Sequence, residues 1–343
     1  SSSGMQNPLN FNTAQPMIIL GNDAPQIVRM SADGVYDINL GGGADYIGSG
    51  KVKTGNRIDL GSGNDEIRIS GWDENANLSL FEGGSGTDWL AFDGGPYEGE
   101  ELTLNFSGAT GFENIEGSWW GDTIRGDSGD NILAGWGGVD LVYGGQGNDT
   151  IYADRPVVRY DEDGWARRYE VGEQYDNDKL YGEDGDDILI GNAGDNILDG
   201  GLGSDRMIGG DGSDVFIIGH DQNNDSIDTI DDFEKEIDSL GLVEGLSFDN
   251  LTITDSGSGT LITVKTTNKT IAQLEGIDSN LIGVEDFFLA ISDNQILSGD
   301  NLDNILIGGM GDDVISTGTG NDLVNSSSGD DTIVIDGAGN KTI

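Results

Sequence analysis

The chain of 343 residues has no cysteine, one histidine, five prolines and only 16 lysines and arginines. Without cysteine there is neither a disulfide framework nor a thiolate metal site. With His220 as the single histidine, an H-E-x-x-H zinc site is excluded. No G-x-S-x-G segment accompanies that histidine, so the serine hydrolase arrangement is missing too. No apolar run approaches the roughly 18 residues that span a bilayer, so no transmembrane segment is expected. Residues 1–10 lack the charged and apolar regions of a signal peptide, and the chain reads as a piece of something longer. The scarcity of basic residues has the widest reach. Against 63 aspartates and glutamates it leaves a formal charge of −47. Nucleic acid is excluded as a partner, because phosphate binding needs a basic surface. An anionic membrane surface is disfavoured for the same reason. A compact chain this acidic repels itself. With no disulfides to staple it, bound cations are the candidate staple.

Glycine and aspartate dominate what is present. Five stretches read G-G-x-G-x-D-x-U-x, where U is a large apolar residue: 83–91, 144–152, 200–208, 209–217 and 308–316. Composition alone, with 58 glycines, would give less than one. Taking the sixth position as marker, the frame extends beyond these copies. Residues 117–152 hold four units marked by Asp122, Asn131, Asp140 and Asp149. Residues 173–217 hold five, marked by Asp178, Asp187, Asn196, Asp205 and Asp214. Residues 299–343 hold five more, marked by Asn304, Asp313, Asp322, Asp331 and Asn340. A looser early series has Asp45, Asn56, Asp65 and Asp88. The eighth position is apolar almost throughout, with Thr342 as an exception.

This spacing predicts both a fold and a ligand. The Gly-rich six residues form a tight turn, because glycine tolerates positive φ and lets carbonyls point inward. The next three form a short strand with U facing in and its neighbours out. Turn plus strand is half a coil, so units i and i+2 stack on the same side. The expected fold is all-β, a parallel β-roll with interspersed strand and hairpin segments. A cation then fits between stacked turns, held by backbone carbonyls and by the sixth-position carboxylate. All the donors are hard oxygens, which favours Ca2+ with its six to eight ligands over Mg2+ or zinc. The metal candidates are Asp45, Asp65, Asp88, Asp122, Asn131, Asp140, Asp149, Asp178, Asp187, Asn196, Asp205, Asp214, Asn304, Asp313, Asp322 and Asp331. Asn at the sixth position keeps an oxygen and loses the charge. It reads either as a weaker site or array cap, or as a turn residue with no metal. Asp at the fifth position, as at Asp130, Asp186 and Asp195, reads as solvent-facing charge. No catalytic residues are predicted, and His220 reads as a loop or capping residue.

The repeat resembles that of the RTX (repeats-in-toxin) family of secreted bacterial proteins, over roughly half the chain. The segments F-E-N-I-E-G and D-T-I-D-D-F resemble companions of such arrays. The resemblance implies a calcium-loaded β-roll, export while unfolded and folding outside the cell. The organisation expected is an N-terminal strand or cap segment (1–39), irregular repeats (40–91), a β linker (92–116), a repeat block (117–152), a surface loop carrying Arg155, Arg159, Arg167 and Arg168 (153–172), a repeat block (173–217), a hairpin-rich β segment with a short helix near 283–288 (218–298) and a final repeat block (299–343). Two functions fit. One is a calcium-dependent structural module of a secreted or cell-surface protein, adhesin or surface-layer-like, with an extracellular glycan or self-assembly as partner. The other is the non-catalytic part of an exported enzyme, such as a polysaccharide-modifying epimerase, lyase or hydrolase. Trp72, Trp119, Trp120, Trp136 and Trp165 are read as covering the thin core and capping array ends in preference to stacking on sugars.

Overall fold

The structure is a computed structural model. It describes residues 9–10, 17–30, 35–49, 52, 55–70, 78–92, 102–105, 109–154, 159–160, 166–167, 176–221, 225–243, 245–289, 296–298, 305–307, 314–320, 322–325, 332–335 and 339–342. Among them the regular elements are β-strands and four single-turn 3-10 helices. None is a helix long and apolar enough to cross a membrane. The chain divides into two compact units, 1–196 and 197–343.

The first unit is a parallel β-solenoid. Strands leave successive turns alternately for opposite sheets, as a half-coil repeat requires. One sheet stacks Ile27–Met30, Tyr46–Ser49, Glu66–Ile69, Trp89–Phe92, Asn114–Glu116, Ile132–Trp136, Thr150–Asp154 and Ile188–Ile190. The alternate strands form two shorter sheets, one running from Met17–Asn22 to Phe81–Glu82 and the other from Leu102–Asn105 to Lys179–Asp184. The register places identical repeat positions on top of one another. Ile67, Leu90, Ile115, Leu133, Ile151 and Leu189 pair in sequence along one sheet. Ile124, Val142 and Leu180 pair along another. Every one of these side chains is fully buried. The two ladders form the core, each member contributing about 1.5–3 kcal/mol on burial.

In the second unit Ile197–Asp199, Val215–Ile218, Ser239–Leu242 and Phe287–Leu289 stack in parallel, as do Arg206–Ile208, Asp228–Ile230 and Lys269–Glu275. The segment expected to be hairpin-rich therefore contributes solenoid strands as well. Its true hairpins are Leu251–Asp255 with Gly259–Val264, and Gly259–Val264 with Lys269–Glu275. The Asp228-Thr229-Ile230 and Asp238-Ser239-Leu240 triplets keep the D-x-U end of the repeat without its glycines, which is enough to lay a strand on the stack. The short helix expected near 283–288 is one 3-10 turn, Val284–Asp286, leading into Phe287–Leu289. The last repeats stack as Ile296–Ser298, Val314–Ser316 and Thr332–Val334, and as Ile305–Ile307, Asp322–Asn325 and Lys341–Thr342.

The basic insertion leaves the solenoid from Asp154, which pairs with Trp136. It is back in place by Asp176, whose Oδ2 accepts the Gly138 N–H at 2.8 Å. Arg159–Tyr160 and Ala166–Arg167 within it form a small antiparallel ladder.

Coil stacking decides where glycine is obligatory. Gly145, second in its repeat, has φ +114°, and an added Cβ would lie 2.2 Å from the Asp127 carbonyl oxygen of the stacked turn. Trp136, Glu183 and Asn192 occupy the same second position in other turns, with φ of 91°, 76° and 65°. Non-glycine residues are thus accepted there at a cost of about 1–3 kcal/mol each where the neighbouring turn leaves room. At Gly145 it does not. The Gly145→Ala protein is expected to lose at least about 1–3 kcal/mol. Thermal melts followed by circular dichroism in saturating calcium check this, and an unchanged midpoint would show that the stacked turns are looser than described.

Candidate metal centres in the turns

The sixth-position side chains lie on the inner side of the turns and link successive coils. In one column, Asp45 Oδ1 accepts the Gln26 N–H at 2.7 Å, Asp65 Oδ1 that of Asp45 at 2.7 Å, and Asp88 Oδ1 that of Asp65 at 2.8 Å. The same bond joins Asn131 N–H to Asp149 at 2.7 Å and Asp149 N–H to Asp187 at 2.7 Å. In the alternate column it joins Asp122 to Asp140 at 2.7 Å, Asp140 to Asp178 at 2.6 Å and Asp178 to Asn196 at 2.9 Å. Asn56 Oδ1 accepts the Tyr36 N–H at 3.2 Å. In the second unit Asp205 and Asp214 donate their N–H groups to Asp228 and Asp238 at 3.2 and 2.9 Å. Glu113 holds the equivalent place beneath Asp88, accepting its N–H at 2.8 Å.

Sequence reasoning missed Asp228, Asp238 and Glu113 as ladder members: the Gly-rich lead is absent from the first two, and the third has Glu where the repeat has Asp, although Gly108 and Gly111 keep its first and fourth positions. The surviving D-x-U triplet was the signal available for the first two. Fifth-position residues are exposed, as expected, and also make rungs of their own. Asp130 Oδ1 accepts the Asn148 N–H at 2.8 Å, Asn148 Oδ1 that of Asp186 at 3.1 Å, and Asn177 Oδ1 that of Asp195 at 2.9 Å. Among the candidates, Asn304, Asp313 and Asp331 lie outside the described residues, and Asp322 is described only in its backbone, within Asp322–Asn325. Trp72 and Trp165 also lie outside them. Trp119 and Trp120 are 45% and 43% exposed, whereas Trp136 is buried with its ring 4.3 Å from that of Trp119.

One carboxylate oxygen is thereby accounted for in each rung. The other is not. The Oδ2 atoms of Asp45, Asp65, Asp88, Asp140, Asp149 and Asp178 are buried and have no hydrogen-bond partner. Each of these residues is at most 2% exposed. Leaving an ionised oxygen buried and unmatched costs several kcal/mol. The positions of these oxygens are informative. An added Cβ on Gly135 would fall 2.1 Å from Asp140 Oδ2 and 2.4 Å from the Ala153 carbonyl oxygen. One on Gly144 would fall 2.3 Å from Asp149 Oδ2 and 2.6 Å from the Gly182 carbonyl oxygen. At the first glycine of the turn, a carboxylate oxygen and a carbonyl oxygen of the next coil thus converge on space that only glycine leaves open. Among the described residues no three acidic or histidine side chains gather at one point. The donors on offer are therefore carboxylate plus backbone carbonyl, all hard oxygen, which suits Ca2+.

Burial raises the proton affinity of these groups, and neighbouring carboxylates raise it further. Asp45 and Asp88 are pushed up to about 6, and Asp149 and Asp178 to about 7. Asp140, desolvated and beside Asp178, is pushed to about 10. His220 shifts upward through its hydrogen bond to Asp199, whose Oδ1 lies 2.8 Å from Nε2. It belongs to an ion pair of the second unit.

These features define a class, a parallel β-solenoid whose turns are laddered by buried, half-satisfied aspartates. Residues 116–151, 175–198, 181–216 and 298–333 match the RTX calcium-binding nonapeptide repeat in four copies. The chain thus carries the RTX calcium-binding nonapeptide repeat over those segments, about a third of its length. Among solved structures, a repeat subunit of the Azotobacter vinelandii mannuronan C5-epimerase is 24% identical, with a TM-score of 0.27. The match covers 34% of this chain and 75% of that one. The extracellular lipase LipA of Serratia marcescens is 17% identical with a TM-score of 0.26, over 67% of this chain and 45% of that one. No curated protein matches significantly.

The raised aspartate values fix the sign of a pH effect. A free aspartate titrates near ~3.9, so between about pH 4 and 7 the metal-free fold holds more protons than the unfolded chain. Its stability therefore falls as pH rises through that window. In chelator the residual β signal is expected to be larger at pH 5 than at pH 7.5. In millimolar calcium the order of stability reverses, because the ion needs the deprotonated carboxylate. Circular dichroism at both pH values with and without chelator checks this. A chelated β signal that rises with pH would contradict the assignment of the orphaned oxygens.

Proposed function

We propose that this protein is a calcium-binding structural module that folds when it meets calcium, carried by a secreted or cell-surface bacterial protein of adhesin or surface-layer type. The observation that carries the reading is the row of buried Oδ2 atoms without partners at Asp45, Asp65, Asp88, Asp140, Asp149 and Asp178. Six such oxygens, in a chain of charge −47, make the metal-free fold electrostatically unfavourable. The apolar core offers one residue per nine-residue repeat to offset a backbone entropy of about 1–2 kcal/mol per residue. Calcium supplies the missing term by neutralising the carboxylates and bridging adjacent coils, so that binding and folding are one event. Asp187, Asp205, Asp214, Asp313, Asp322 and Asp331 take the same role by their place in the repeat. The RTX repeat is a non-catalytic unit, and extracellular calcium suits a switch of this kind. The finer role on the cell surface, with a glycan or a second copy as partner, follows from the same reading.

Circular dichroism during a calcium titration, from chelated to millimolar, tests the switch. A cooperative gain of β signal is expected with calcium and none with an equal concentration of magnesium. A spectrum already fully β in chelator would overturn calcium-driven folding. Incubation with alginate tests the surface role separately. Retention without turnover agrees with a structural module, and product formation would make the chain part of a polysaccharide-modifying enzyme.

A further inference from the structure

The sixth-position side chains fall into two chemical kinds. At Asp140, Asp149 and Asp178, Oδ1 takes the N–H of the neighbouring rung and Oδ2 is left without a hydrogen-bond partner. At Asn196 the first half is identical, since Oδ1 accepts the Asp178 N–H at 2.9 Å. The second half is inverted. Nδ2 donates to the carbonyl oxygens of Gly191 at 3.2 Å and Gly194 at 3.0 Å, the first and fourth residues of the same turn. The amide orientation follows from chemistry. The Asp178 N–H is a donor, so the atom facing it is the oxygen, and the two carbonyls then face the NH2 group. Asn196 is fully buried.

We infer that the Asn196 amide stands in for a bound ion: its NH2 group satisfies the inward carbonyls of the turn, and this turn holds its shape without calcium. The inference rests on the calcium reading above and sharpens it by assigning which turns take the ion. A cation at this turn would meet the positive end of an amide dipole where the other turns offer an anionic oxygen. It would also compete for carbonyls already engaged. Asn131 is turned the other way and does not share this arrangement: its Oδ1 accepts the Asp127 N–H of its own turn at 2.9 Å and its Nδ2 donates to the Glu113 carbonyl of the adjacent coil at 2.9 Å. The Asn196 turn thereby persists when calcium is scarce, set among turns that need it. The asparagine is a specificity-determining residue: one side-chain atom decides whether a turn recruits a metal.

Counting bound calcium per chain by equilibrium dialysis, on the full chain, tests this with two reciprocal variants. Asn196→Asp replaces the NH2 group by an anionic oxygen, so one additional calcium is expected relative to wild type, with a larger drop in melting midpoint on chelation. Asp140→Asn makes the opposite exchange, so one calcium fewer is expected, with a smaller drop on chelation. An Asn196→Asp protein that folds and binds the wild-type number would overturn the inference. So would an Asp140→Asn protein that keeps the full number, which covers the case in which the first variant does not fold. A wild-type chain that binds no calcium is a different failure, since it removes the calcium reading itself.

Discussion

The burial of one carboxylate per turn is the constraint on which the other features depend. Each buried aspartate ties two coils together through Oδ1, and this sets the spacing and register of the stack. At Asp45, Asp65, Asp88, Asp140, Asp149 and Asp178 the second oxygen is placed where protein donors do not reach. Such a group is stable only when protonated or matched by a cation. The Gly-rich lead, the inward carbonyls and the acidic composition are all consistent with the second solution. The first glycine leaves the space in which a carboxylate and a carbonyl converge, and the later ones supply the positive φ that turns the carbonyls inward.

The apolar ladders are the other half of the balance. One aliphatic side chain per strand is a thin core, and it works because perfect register stacks like on like, Leu133 on Ile151 on Leu189. The same register makes the architecture tolerant of interruptions. Asp178 reaches the rung of Asp140 across 38 residues of sequence, whereas Asp140 reaches that of Asp122 across 18. The twenty-residue difference is the basic excursion. It leaves from one position of a turn and returns at another, so the ladder runs past it unchanged. In the second unit the D-x-U triplets at Asp228 and Asp238 continue the stack without a Gly-rich turn at all. This indicates that the aspartate and the apolar residue specify the coil, and that the glycines specify the shape of the turn and its room for an ion.

Departures from the repeat are concentrated at the second position, where Trp136, Glu183 and Asn192 adopt positive φ. Two of the three are compensated locally, in different ways. Trp136 packs its ring against Trp119. Glu183 forms an ion pair with Arg125 at 3.2 Å, and Arg125 lies 4.1 Å over the ring of Tyr143, itself stacked on Tyr181. The Tyr143 ring therefore lies between Arg125 and Tyr181 and does not offer an open face to a sugar. Asn192 has no comparable partner among the described residues.

The sequence by itself determined the all-β repeat fold, the nine-residue frame, the buried eighth position and the oxygen-only character of the candidate sites. It could do so because periodic glycine, aspartate and apolar residues leave one way to alternate tight turns with short strands. Only the tertiary structure decided which carboxylate oxygens are left without partners, because that depends on N–H groups one coil away and not on neighbours in sequence. It also decided that Asp228, Asp238 and Glu113 join the ladder, since a rung is recognised by its height in the stack. And it decided what each buried amide faces: Nδ2 of Asn196 faces two carbonyls of its own turn, whereas Nδ2 of Asn131 faces the Glu113 carbonyl of the adjacent coil.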